Sequence, residues 1–191
     1  MDNINVIRFD KFTESLKKIW IQLDKESNLS PFQSYYWNYN WYKNILSNDK
    51  SAKLAIIVLF YKKKPVDIFP FAVVSYKGFK ILQFLGGKNT DYMLPISTSK
   101  SLLRFHKFST KKILNILNTQ VPKYDLCIFE NQPLYIEFKK NYFLEKFYKV
   151  KSNVSLKINM QNLSFDNFIV NKSKKFIYDI QRQIKKLQKI S

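Results

Sequence analysis

The stretch Lys53–Pro95 constrains the fold of this chain more than any other, because it holds three apolar runs separated by short polar turns. Three consecutive antiparallel strands are the simplest way to bury such runs. The first, Leu54 to Tyr61, is almost continuously apolar, which suits a central strand covered on both faces better than an edge. Lys62-Lys63-Lys64-Pro65 reads as a reversal: the lysines keep its tip in water, and Pro65 cannot donate to a ladder. A second strand is expected over 66–76, a turn at Lys77-Gly78, and a third strand over 79–85. That strand stops at Gly86-Gly87, two of only three glycines in the chain, where the backbone is expected to need a positive φ or a close approach to another group.

The remaining segments supply helices to cover this sheet. A short strand is expected at Val6–Phe9, then a helix from about Lys11 with Asp10 as its cap and Phe12, Leu16, Ile19, Trp20 and Leu23 at helical spacing. In the next segment Ser30 can cap, Pro31 suits a first helical position and Gln33 can reach back, with Ser34 as an alternative start. Trp37, Trp41 and Ile45 then fall one turn apart and are expected to pin this helix to the sheet. Further on, a helix over 101–119 with a weak point near 107–111, a two-faced strand over 124–130 and a short helix near 134–140 are expected. Extended pieces at 147–151 and 155–159 follow. A basic amphipathic helix over 164–190 closes the chain, its charged side read either as a solvated face or as a contact for phosphate or a lipid surface.

A length of 191 residues and 46% hydrophobic content fit one domain with a core. No run of 18 apolar residues occurs and the first ten residues lack the pattern of a signal peptide, so a cytoplasmic protein without a transmembrane segment is expected. Cys127 is the only cysteine and His106 the only histidine, so neither an internal disulfide nor a metal site is expected. The net charge of +19 invites a nucleic-acid reading, but only Arg8, Arg104 and Arg182 among the 33 basic residues are arginine, the side chain on which base readout leans. The charge is therefore read as a lysine-rich, AT-biased composition on a solvated surface, with no specific nucleic acid as partner. Attraction to an acidic partner such as coenzyme A, a phosphorylated substrate or an anionic lipid stays open.

The order of elements, with the strings Ser30-Pro31-Phe32-Gln33-Ser34-x-x-Trp37-x-x-x-Trp41, Val66-x-x-Phe69-Pro70-Phe71, Asp91-Tyr92-x-x-Pro95 and Ser173-Lys174-Lys175 followed by Ile180-Gln181-Arg182, resembles the CelD-type acetyltransferases associated with cellulose biosynthesis. These are tandem members of the GNAT N-acyltransferase superfamily, similar to the Fem-type aminoacyltransferases. The resemblance covers about residues 5 to 191. It implies an α+β fold, with a mixed and mainly antiparallel sheet flanked by helices. It also implies a GNAT-like domain over 1–163, and a basic helix over 164–191 that leads to a second GNAT half, in cis or in trans. The chain is accordingly expected to be an N-terminal half.

The same resemblance implies acyl transfer from acyl-CoA or an acyl carrier to an amine of a sugar or cell-envelope precursor, with the donor pyrophosphate held on backbone amides in a glycine loop after the fourth strand. Gln83, Gly86, Gly87 and Lys88 occupy that place, although Lys88 stands where a small residue is wanted. The acceptor amine must lose a proton, for which Asp91 with Tyr92, or Glu130, are the candidates. Tyr36, Trp37 and Tyr39 are candidates for lining the acceptor groove. The alternative function is a non-catalytic binding or interaction module derived from this fold.

Overall fold

The computed structural model describes residues 4–27, 30–98, 110–136, 139–150, 164, 167, 169 and 172–189, without the side chains of Lys88 and Lys139. They fall in two compact units, Met1–Ser152 and Asn153–Ser191. The first is α+β, with a mainly antiparallel sheet between helices. Strands β1 (Ile4–Phe9), β2 (Lys53–Tyr61), β3 (Lys64–Tyr76) and β4 (Phe79–Phe84) lie side by side and antiparallel, and β6 (Leu126–Cys127) adds to β4 in parallel. A two-residue strand, β5 (Ile96–Ser97), pairs with β3 at Asp67 and Ile68. Beyond the end of β4, β5 thus takes β4's place beside β3, and residues 86–95 form an excursion from that one sheet position.

The central strand has the two-sided burial its composition predicts. Ala55, Ile57 and Leu59 join one core with Phe69, Phe71, Leu82 and Phe84, covered by helix α3 (Thr110–Gln120) through Ile113 and Leu117. Leu54, Ile56 and Val58 join the other, covered by helices α1 (Glu14–Lys25) and α2 (Tyr35–Asn44) through Leu16, Trp20, Leu23 and Tyr35. The alternation is the period of two that puts successive side chains on opposite faces. Both turns of the meander use left-handed backbone, at Lys62 and Lys63 (φ 48° and 64°) and at Lys77 and Gly78 (φ 49° and 84°), which matches the strand twist of tight hairpins. Pro65 sits inside β3, where the register slips between Leu59 and Phe60, so its missing N–H falls at a bulge.

Several expectations are corrected. Helix α1 is capped by Thr13, whose hydroxyl accepts from the Leu16 amide at 3.2 Å, and not by Asp10; Thr13 is the residue with extended backbone directly before the helix. Residues Pro31–Gln33 form a separate 3-10 turn, and α2 starts after Ser34, which accepts from the Trp37 amide at 3.2 Å. The buried residues of α2 are Tyr35 and Asn38, while Ile45 lies past its end and is exposed. The 124–130 run pairs over only Leu126–Cys127: among the described residues β6 has one neighbour, β4, and Leu126 and Ile128 stand half in water at 48% and 41% exposure.

Near 134–140 there is a small hairpin in place of a helix, with β7 (Tyr135–Ile136) against β8 (Lys139–Lys140), followed by helix α4 (Tyr142–Lys146). Asn141 decides this: its amide donates to the Leu134 carbonyl at 2.9 Å and closes the hairpin, and its side chain accepts from the Phe143 amide and caps the helix. In the second unit, Ser164 accepts from the Asn167 amide as a cap would, but helix α5 (Lys174–Leu187) starts anew with its own cap, Ser173, in extended backbone. The expectations at 101–109, including His106, and at 155–159 lie outside the described residues.

Candidate functional site

The candidate residues gather where β4 ends. Gln83 pairs with Ala72 inside β4, the Leu85 amide reaches the Pro70 carbonyl at 2.8 Å, and the chain then leaves the sheet at Gly86. Gly86 has φ 123° and Gly87 φ 53°, and both also meet a close neighbour, so both reasons for which glycine was expected here apply. A Cβ on Gly86 would lie 2.2 Å from Thr90 Oγ1, and one on Gly87 would lie 3.1 Å from the Trp41 ring. The turn Gly87–Asn89, with Lys88 at its centre, closes by the Thr90 amide donating to the Gly87 carbonyl at 3.2 Å.

Thr90 is the hub of this turn. Its side chain is buried, its hydroxyl donates to the Gly86 carbonyl at 2.8 Å, and it receives the indole N–H of Trp37 at 3.0 Å. Trp37 packs edge-on against Phe32 at 5.0 Å, and Phe32 lies 6.3 Å from the Tyr92 ring. Buried Gln33 donates to the Tyr92 carbonyl and accepts from the Ser30 hydroxyl at 2.8 Å, while the Trp20 indole donates to the Gln33 carbonyl at 2.9 Å. The serine and glutamine of the Ser30–Gln33 string therefore hold the loop after β4. Sequence reasoning gave them only a capping role.

From the β6 side, Asn131 (φ 50°) donates through its side chain to the Thr90 carbonyl at 2.8 Å, and its own carbonyl accepts from the Met93 amide at 3.3 Å. Gln132 donates to the Met93 carbonyl, and fully buried Asn141 donates to Gln132 Oε1 at 3.1 Å. The loops after the two parallel strands are thus laced together by side-chain amides. These residues carry no charge and match no catalytic pattern, so the sequence offered only their polarity beside Pro133 as a signal.

The remaining candidates are dispersed. Asp91 and Glu130 are both exposed, on the excursion and past the end of β6 respectively. Tyr36 is exposed and meets Tyr35 edge-on at 5.6 Å, whereas Tyr39 stacks on Tyr35 at 5.6 Å and packs into the core beneath α2. Of the three proposed groove residues, Trp37 alone touches the turn after β4 through a described bond.

Among the described residues, the most enclosed ionisable groups were not anticipated. Asp67 in β3 and Tyr142 at the start of α4 are 2% and 1% exposed. Burial, and after it the nearby Asp67 carboxylate, hold the Tyr142 phenol well above its ordinary range. An aspartate within Val66-Asp67-Ile68-Phe69 was the available signal. Burial raises the Cys127 thiol, against a hydrogen bond from Tyr124; the Tyr124 phenol is pushed up to about 12 by its own burial and then by Cys127. Among the described residues no cluster of His, Cys, Asp and Glu could hold a metal ion, and no helix is long and apolar enough to cross a membrane. A cleft of about 470 Å3 opens elsewhere in the first unit, lined in part by Arg8, Asp10, Asp49, Lys50 and Lys53.

No family model matches the sequence, and no curated protein matches it. Among solved structures, the chain is similar to a ribosomal-protein-alanine N-acetyltransferase from Brucella melitensis biovar Abortus 2308, at 10% identity and a TM-score of 0.40, over 83% of this chain and 99% of that chain.

Proposed function

We propose that this chain is a GNAT-type N-acyltransferase domain that serves as the acceptor-side half of a two-part enzyme. The strand order supports the fold reading: a four-stranded antiparallel run whose last strand takes a parallel neighbour through a connection that includes a helix. On this reading a second half, in cis or in trans, holds acyl-CoA, and the acceptor is an amine of a sugar or cell-envelope precursor. The CelD-type resemblance supports the acceptor class.

One observation carries the division of labour. The close approach that Gly86 and Gly87 permit is taken by the chain's own Thr90 side chain and Trp41 ring, which supports a structural turn over a cradle for a pyrophosphate. On this reading the turn is structural, and the donor pyrophosphate is held by the second half. Asp91 and Glu130 remain available to an incoming acceptor, since both stand in solvent on the loops that meet at the turn. A non-catalytic binding module is the second reading, and the same closed turn favours it.

Calorimetric titration of acetyl-CoA into the isolated chain tests the proposal. No saturable heat is expected up to about 1 mM ligand, which corresponds to binding weaker than about 4 kcal/mol. Saturable binding below that concentration would show a working donor site and overturn it.

A further inference from the structure

The basic helix of the second unit is absorbed by none of this. Helix α5 has 14 residues, none of them buried. Projected at 3.6 residues per turn, Phe176, Ile177, Ile180, Ile184 and Leu187 fall within one arc of about 100°, and Lys174, Lys175, Arg182, Lys185 and Lys186, with exposed Tyr178 among them, within a separate arc of about 120°. Gln181, Gln183 and Gln188 fall at the borders between the two arcs. Its one acid, Asp179, is paired with Arg182 at 3.3 Å, so the cationic side holds no unpaired carboxylate to repel anions. Ile184 and Leu187 are 42% and 67% exposed, and Ile177 and Ile180 are half-buried.

We propose that α5 is a membrane-surface helix that lies in the headgroup region of an anionic bilayer, apolar side down. Two observations select a lipid surface over a protein partner. The first is charge: four lysines and Arg182 along one side match a surface dense in negative headgroups, whose attraction adds with each lysine and decays within a Debye length. The second is the way the two sides act together: a bilayer surface lets the apolar strip insert while the cations are drawn to headgroups along the whole helix, about 21 Å long. The lysines at both ends of the cationic side have stems long enough to reach headgroups while their methylenes stay on the apolar side.

Co-sedimentation of the full chain with vesicles tests this, using phosphatidylcholine with about 30% phosphatidylserine against phosphatidylcholine alone. Binding to the anionic vesicles is expected to be at least about tenfold tighter than to the neutral ones, and to weaken steeply as salt rises. Ile184→Glu with Leu187→Glu, at exposed positions, is expected to reduce it at least tenfold without moving the thermal transition. Lys185→Glu with Lys186→Glu is expected to do the same. Lys11→Glu with Lys18→Glu changes the net charge equally on exposed positions of the first unit, and is expected to leave binding within about twofold. Four results would overturn the proposal: no vesicle binding, equal binding to neutral vesicles, equal loss in the Lys11/Lys18 control, or a wild-type dimer in solution that the Ile184/Leu187 variant dissolves. None of these outcomes bears on the acetyl-CoA titration.

Discussion

Gly86→Ala is expected to destabilise the protein by about 3 kcal/mol, a large loss for the addition of one methyl group. Two costs add. At φ 123° the backbone is in a region that side chains rarely adopt, and the new Cβ would meet the Thr90 hydroxyl at 2.2 Å and its Cβ at 2.7 Å. Thr90 cannot swing away cheaply, because it is buried and bonded to both Gly86 and Trp37. Gly78 supplies the control: it also has positive φ, 84°, but nothing lies within 4 Å of a Cβ there. Gly78→Ala should therefore cost about 1 kcal/mol, from backbone strain alone. Urea unfolding of the two variants separates the terms, and equal losses would show that the turn is not packed as described.

Trp20→Ala is expected to cost about 4 kcal/mol, the middle of the range for a buried aromatic. Trp20 is fully buried beneath α1, stacks on Phe12 at 5.9 Å and meets Tyr35 edge-on at 5.9 Å. Its indole N–H also satisfies the Gln33 carbonyl, so the deletion leaves a cavity and takes away a partner at once. Trp20→Phe keeps most of the packing and loses the hydrogen bond, for a loss of about 1–2 kcal/mol. Since Gln33 in turn holds the Tyr92 carbonyl, the alanine variant should also loosen the loop after β4. Thermal unfolding followed by tryptophan fluorescence and circular dichroism measures both variants, and a loss under about 1 kcal/mol for Trp20→Ala would contradict the packing of α1.

The meander was legible because its signals are local and agree with one another. Continuous apolar runs, a Lys-Lys-Lys-Pro reversal and a Lys-Gly turn each demand the same antiparallel arrangement, although Lys64 and Pro65 belong to β3 and not to the turn, and the glycine pair announced its own backbone. What failed was decided at a distance. The 124–130 run reads as two-faced, yet whether Leu126 and Ile128 are covered depends on which neighbours flank β6, and periodicity carries no information about that. Helix starts drifted because Asp10, Thr13, Ser30 and Ser34 are all competent caps, and the backbone around each selects which is used. The hairpin before α4 was missed because Asn141 acts both as a hairpin-closing donor and as a cap.

At the candidate site the residues that the sequence singled out differ from those that lace the loops together. Charged and aromatic residues drew attention, but Asp91 and Glu130 stand in water, while Gln33, Thr90, Asn131 and Gln132 do the holding. Neutral amides and hydroxyls leave little trace in a sequence, because the same residues are ordinary in any loop.

Amide hydrogen exchange across residues 83–95, with and without acetyl-CoA, tests the closed turn most directly. The amides of Leu85, Thr90 and Met93 donate to Pro70, Gly87 and Asn131, so they are expected to be protected in the free protein. Adding about 1 mM acetyl-CoA, enough to half-fill a site that binds it with about 4 kcal/mol, is expected to leave that protection unchanged. Rapid exchange of these amides in the free chain that slows when acetyl-CoA is added would contradict the account, since it would describe a loop that is open alone and ordered by a donor.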